Sequence, residues 1–155
     1  MRLKEKEITD RKEIEELLLS EKVCRMAMCD GDTPYVIPTT YGYRDGAIYI
    51  HSSKKGRKID VLRDNSRVCF VIDTGHQLVQ GPLDTSCKST IKFKSVIGSG
   101  RARFLEDPEE KRMAMTIIME QMFGRQKFQY SEEGVRDMAI IKVELESVTG
   151  KKSGY

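Results

Sequence analysis

The chain has 155 residues, 39% hydrophobic and 33% charged, with 27 basic against 24 acidic side chains and a net charge of +3. This composition excludes a disordered chain and a protein built to grip nucleic acid along a charged groove. No apolar run approaches the roughly 20 residues of a membrane-spanning helix.

The length suits one domain, 1–155, with one core. The charged first ten residues lack the apolar stretch of a secretory signal, so a cytoplasmic location is expected. The four cysteines, Cys24, Cys29, Cys69 and Cys87, match no zinc-ligand spacing. They are expected to be reduced thiols, with Cys24 and Cys69 buried as small hydrophobes and no metal site.

A helix is predicted over 10–21: Asp10 caps it, Glu13 stands three residues on, and Ile14, Leu17 and Leu18 share a face. Strands follow at 23–28 and 34–43, separated by the turn residues Asp30-Gly31-Asp32. Asp45-Gly46 then marks a two-residue hairpin into a strand at 47–51. A short helix over 54–63, capped by Ser53, turns Ile59 and Leu62 to the sheet. The run 68–73 reads as a strand buried on both sides. From 74 to 87 the pattern dissolves into Gly, Pro, Gln, Ser and Thr and reads as a long loop, a kind of segment that is often functional. A long strand over 90–104 carries Gly98 and Gly100, indicating a bulge or a close backbone approach. Asp107 and Pro108 open a helix striped by Met113, Ala114, Ile117, Ile118 and Met122, and Gly124 stops it. A last strand over 138–148 precedes a polar, basic tail. Antiparallel strands in succession, with helices at the ends, indicate an α+β fold, mainly an antiparallel barrel with peripheral helices.

The segment with the clearest chemistry is Ile50-His51-Ser52-Ser53-Lys54-Lys55-Gly56-Arg57-Lys58, where a strand hands over to a helix. Cations at a helix N-terminus oppose the macrodipole, and an anion resolves the conflict. Hydroxyls, free N–H groups and cations at one helix start suit a phosphate. His51, one of two histidines beside His76, stands next to that corner as a proton donor or a ligand. Pro38, Thr39, Thr40 and Tyr41 form a second candidate: a proline inside a strand implies an edge, and the hairpin is expected to fold this stretch against 48–52. The glycine-rich stretch near Ser95 and Val96 fits neither a Rossmann nor a P-loop motif.

Taken in order, Val23-Cys24-Arg25-Met26-Ala27, Pro34-Tyr35-Val36-Ile37-Pro38, Gly42-Tyr43, Ile48-Tyr49-Ile50-His51-Ser52, Gly56-Arg57-Lys58, Ser95-Val96-Ile97-Gly98, Glu106-Asp107-Pro108 and Thr149-Gly150-Lys151-Lys152 resemble the pyridoxamine 5′-phosphate oxidase-like flavin proteins. Within them, the branch of nitroimidazole-resistance proteins is nearest. The resemblance implies an FMN-binding split β-barrel, a homodimer with FMN at its interface, and a small-molecule substrate, nitro-aromatics among the options. It also implies that Pro38 to Tyr41 and Ile50 to Ser52 line the flavin, and that Ser52, Ser53, Gly56, Arg57 and Lys58 hold its phosphate. Ser95 and Val96 would contact the cofactor from either subunit, with His51 as the catalytic group. The arginine and histidine motif that holds substrate in true pyridoxamine phosphate oxidases is not found. The alternative function is a non-catalytic flavin or haem carrier or redox sensor, in which His51 or His76 would ligate haem.

Overall fold

A computed structural model describes residues 3–155. Eight antiparallel strands form one sheet: β1 (Glu7–Ile8), β2 (Val23–Asp30), β3 (Thr33–Thr40), β4 (Gly42–Arg44), β5 (Ala47–Ser53), β6 (Arg67–Val79), β7 (Thr90–Leu105) and β8 (Met138–Ser153). Their order is β3-β2-β6-β7-β8-β5-β4, with β1 added to β8. The α-helices are α1 (Arg11–Ser20), α2 (Arg57–Asp64), α3 (Pro108–Phe123) and α4 (Glu132–Asp137). Among the described residues, no helix is long and apolar enough to cross a membrane.

The sheet curls into a barrel that does not close. β3 pairs only with β2, from Val23↔Thr40 to Asp30↔Thr33. β4 covers β5 only as far as Tyr49, which pairs with Gly42. Beyond that point β5 keeps β8 on one side, from Ile50↔Ile141 to Ser53↔Met138, and loses its other neighbour. β3 and β5 approach within 8 Å between Cα atoms without forming a ladder. The split lies between those two strands, and Pro38 sits on a free edge where its missing N–H costs nothing.

Period-two alternation sorts the side chains into two cores. Met26, Ile48, Ile50, Phe70, Ile72, Val96 and Ile141 fill the barrel, plugged by Ile59 and Leu62 of α2 and by Leu17 and Leu18 of α1. On the other side of β5 and β8, Ala47, Tyr49 and Ile140 pack under Ala114, Ile117 and Ile118 of α3. Gly42 permits that packing, because a Cβ there would stand 2.7 Å from the backbone nitrogen of Ile118.

Several expectations change. The first part of the expected loop 74–87 is an arm: β6 runs on to Val79 and pairs with β7 up to Val79↔Thr90, across a bulge between Thr74 and Gln77, and a short 3-10 helix, Leu83–Lys88, follows. The tail extends β8 to Ser153, paired with Phe93. Cys69 is exposed, whereas Cys24 is fully buried and burial pushes its thiol up to about 12. The expected 34–43 strand breaks at Tyr41 into β3 and β4, so 37–40 lies against β2 rather than pairing with 48–52.

Candidate functional site

The corner is built where β5 outruns its neighbours. Ile48 and Ile50 point into the barrel, which turns Tyr49, His51 and Ser53 to the opposite face. Tyr49 is covered by α3, but His51 and Ser53 lie beyond that cover and are exposed. No described residue hydrogen-bonds the imidazole of His51. Partial burial, and then the charge of Lys58, hold its pKa below the usual histidine value. His51 is therefore neutral near pH 7 and a proton acceptor, with burial the larger cause and Lys58 the smaller.

The chain passes from β5 to α2 through Gly56, whose φ of 116° lies in a region that side chains avoid. This glycine, not Ser53, occupies the N-cap position of α2, and no side chain caps the helix. Ser53 instead accepts a bond from the Lys55 N–H at 3.3 Å. The first turn of α2 thus has no capping side chain, while Arg57 and Lys58 stand within it. Arg57 is engaged on the barrel: its Nε donates to Asp30 at 2.8 Å and its guanidinium stacks 4.4 Å above the Tyr35 ring. Lys58 is different. It is partly buried, which lowers its pKa, and no described carboxylate lies within 4.0 Å of it. A desolvated cation without a counter-ion is the electrostatic signature of a place for an anion.

The other expected residues separate into those facing the split and those facing the core. Pro38 and Thr40 are exposed on the edge strand, and Thr39 is half-buried beside them. Tyr41 is fully buried, and its hydroxyl donates to the Leu18 carbonyl at 2.7 Å, so it anchors α1. Ile50 and Val96 are likewise core side chains, which leaves only their backbone for a ligand. Ser95 pairs with Asp73 and Lys151. It is ten residues along β7 from Leu105, a strand path of about 33 Å from the rung that leads through Ile140 to His51. One subunit does not bring Ser95 to the Lys58 corner. Its surroundings hold the second histidine, since His76 Nε2 lies 3.2 Å from an Asp73 carboxylate oxygen and Asp73 also pairs with Arg25. Two partners of the corner, Asp30 and Tyr35, had no sequence signal, because they reach Arg57 only through the curl of the barrel. Among the described residues, no cluster of three or more His, Cys, Asp or Glu is placed to hold a metal.

An open α+β barrel with a cationic corner beside its split defines a family. The chain belongs to the pyridoxamine 5′-phosphate oxidase family, whose sequence model matches residues 10–152. Among solved structures it resembles a candidate 5-nitroimidazole antibiotic resistance protein from Bacteroides thetaiotaomicron, at 35% identity and a TM-score of 0.84 over 94% of this chain and 86% of that one. The fold is shared with an FAD and haem binding protein from Mycobacterium smegmatis, with a TM-score of 0.87 at 14% identity over 97% of this chain and 74% of that one. A curated relative, an uncharacterized protein of Rhizobium meliloti (strain 1021), is 29% identical over 94 residues. That match covers 61% of this chain and 54% of the relative, so the chain spans about half the length of the curated relative it matches.

Proposed function

We propose that the chain binds FMN in the split between β3 and the end of β5, as a homodimer, and serves as a flavin-dependent oxidoreductase for small molecules such as nitro-aromatics. The observation that carries this reading is Lys58, partly buried beside His51 with no described carboxylate to neutralise it. A phosphate there would supply the missing charge, with Ser52, Ser53 and the open first turn of α2 as further donors. The residues present fit a phosphorylated flavin: nothing lies within 4 Å of where a Gly56 Cβ would stand, so the approach to the turn is clear. The free edge of β3 offers backbone groups and the hydroxyls of Thr39 and Thr40 to a flat heterocycle.

When bound, the flavin supplies the electron transfer itself. The chain's part is to orient it, to exclude water on the barrel side and to keep a neutral imidazole at His51 beside the substrate. The substrate class rests on the resemblance to the candidate resistance protein of Bacteroides thetaiotaomicron. A second copy is supported by the outer face of β2, β3, β6 and β7, which leaves Val36 57% and Ile97 50% exposed along rungs that also carry Ala27 and Val71. A second copy would also offer a Ser95 nearer to the corner than the subunit's own.

The first test is the visible spectrum of the purified protein with mass spectrometry of what heat releases. Flavin bands and released FMN are the expected result; a Soret band would replace the reading with a haem carrier using the unpartnered His51. The double variant Arg57→Ala, Lys58→Ala should weaken FMN by on the order of a hundredfold, since each lost charge-assisted bond is worth about 1.5–3 kcal/mol. Unchanged affinity refutes the phosphate corner. Light scattering that finds a monomer with flavin bound refutes the interface.

A further inference from the structure

We infer that the cleft between the start of α3 and the start of β8 is an oxyanion-binding site organised by Lys111, separate from the corner at Lys58. Lys111 is 6% exposed, the one charged side chain that the described part of the fold buries. Its Nζ donates to the Met138 carbonyl at 3.3 Å, and no described carboxylate lies within 4.0 Å. An ammonium has three N–H donors, so this single long bond leaves two unused. Its position repeats the apolar stripe of α3, three and seven residues before Ala114 and Ile118, where an apolar side chain would pack without desolvating a charge.

Two clefts flank the side chain, of about 210 and 270 Å³, and both are lined by Lys54, Glu106 and Lys111. Arg63 completes one and stacks 5.8 Å from the Phe104 ring. Arg136 and Glu132 border the other but are spent on Asp137 and Arg112. Among the described residues, the groups of the clefts without an ionic partner are Lys54, Arg63 and Lys111 against Glu106, a balance that favours an anion. The clefts are smaller than the roughly 300–1,000 Å³ that takes a drug-sized ligand. They suit a compact oxyanion, the phosphate or carboxylate group of a small molecule. Ser53, which precedes Lys54, pairs with Met138. The cleft therefore adjoins the Lys58 corner yet uses different residues, and the inference stands without the flavin.

The test is calorimetric titration of the full chain with orthophosphate and with acetate at fixed ionic strength, using chloride as the control anion. Saturable oxyanion binding is expected, weakened at least tenfold in Lys111→Met and tightened severalfold in Glu106→Gln. It should persist in the Arg57→Ala, Lys58→Ala variant. Binding of phosphate alone assigns a phosphate ester as ligand, and binding of acetate as well assigns a carboxylate. Glu106 is exposed, so its variant keeps the test decisive if Lys111→Met does not fold. The inference is overturned if neither oxyanion binds, if Glu106→Gln binds like the parent, or if binding vanishes only with Arg57 and Lys58.

Discussion

The two halves of β5 differ more than any two strands of the barrel. Ala47, Ile48, Tyr49 and Ile50 are buried, the even positions by the barrel core and the odd ones by α3. His51 and Ser53 are exposed and Ser52 half-buried, on the same strand with the same β8 partner. What changes is cover: α3 no longer overlies the strand, and β4 has ended at its Gly42↔Tyr49 rung. A strand clamped on both faces for four residues delivers the next three with little freedom of position, which is what a binding site needs from its scaffold.

The widest gap between the halves is expected in stability. Ile50→Ala removes side-chain volume from a site 1% exposed and should cost about 2–5 kcal/mol in urea unfolding. His51→Ala, one residue on, should stay within about 0.5 kcal/mol. Equal costs would mean that His51 is a packing residue and the contrast is false.

Gly56 marks where the exposed half hands over to α2. Gly56→Ala should cost about 1–3 kcal/mol, since its φ of 116° is open almost only to glycine. With no atom within 4 Å of the new Cβ, the cost is conformational rather than steric. A neutral result would show that the turn relaxes freely and holds no fixed cradle.

These contrasts separate what was legible in the sequence from what was not. Helix ends were readable where a capping side chain or a left-handed glycine made them: Asp10 accepts from the Lys12 N–H, Asp107 from those of Glu109 and Glu110, and Gly124 ends α3 at positive φ. The Asp45-Gly46 turn has positive φ at both positions, as its residue types required. The arm beyond Thr74 was unreadable, because Leu78 at 89% exposed and its neighbours bury no face and so show no alternation. Ser53 has the chemistry of a cap, but Gly56, between it and Arg57, takes that position. At the site, cation clustering pointed to the corner, but pairing across the barrel assigned Arg57 to Asp30 and left Lys58 alone. The one signal for Lys111 was a charge on an otherwise apolar stripe.

The depressed pKa of His51 gives the exposed half a pH signature. Partial burial is the larger cause and Lys58 the second. With the folded value below the unfolded value of about 6.5, the unfolded chain binds more protons between the two. Stability from this group is complete above the unfolded value and is lost as pH falls toward the folded one. An NMR titration of the imidazole should show a midpoint below 6.5 that rises in Lys58→Gln, yet not fully to the unfolded value. Bound phosphate should raise it in the same direction, by screening Lys58. A midpoint indifferent to both would place Lys58 too far away to serve the corner.

The smallest effect concerns the pair that competes with the corner. Arg57 and Asp30 have side chains 54% and 44% exposed, so their 2.8 Å contact contributes between nothing and about 1 kcal/mol to stability. Asp30→Asn keeps the shape and removes the charge, and unfolding should barely register it. Affinity for FMN is the sharper readout. If Arg57 turns from Asp30 to a phosphate on binding, releasing it in advance removes a competitor, and Asp30→Asn binds FMN more tightly than the parent. If affinity is unchanged while Lys58→Gln still weakens binding, Arg57 is a strut between α2 and the β2–β3 turn. The half-buried lysine would then carry the phosphate without it.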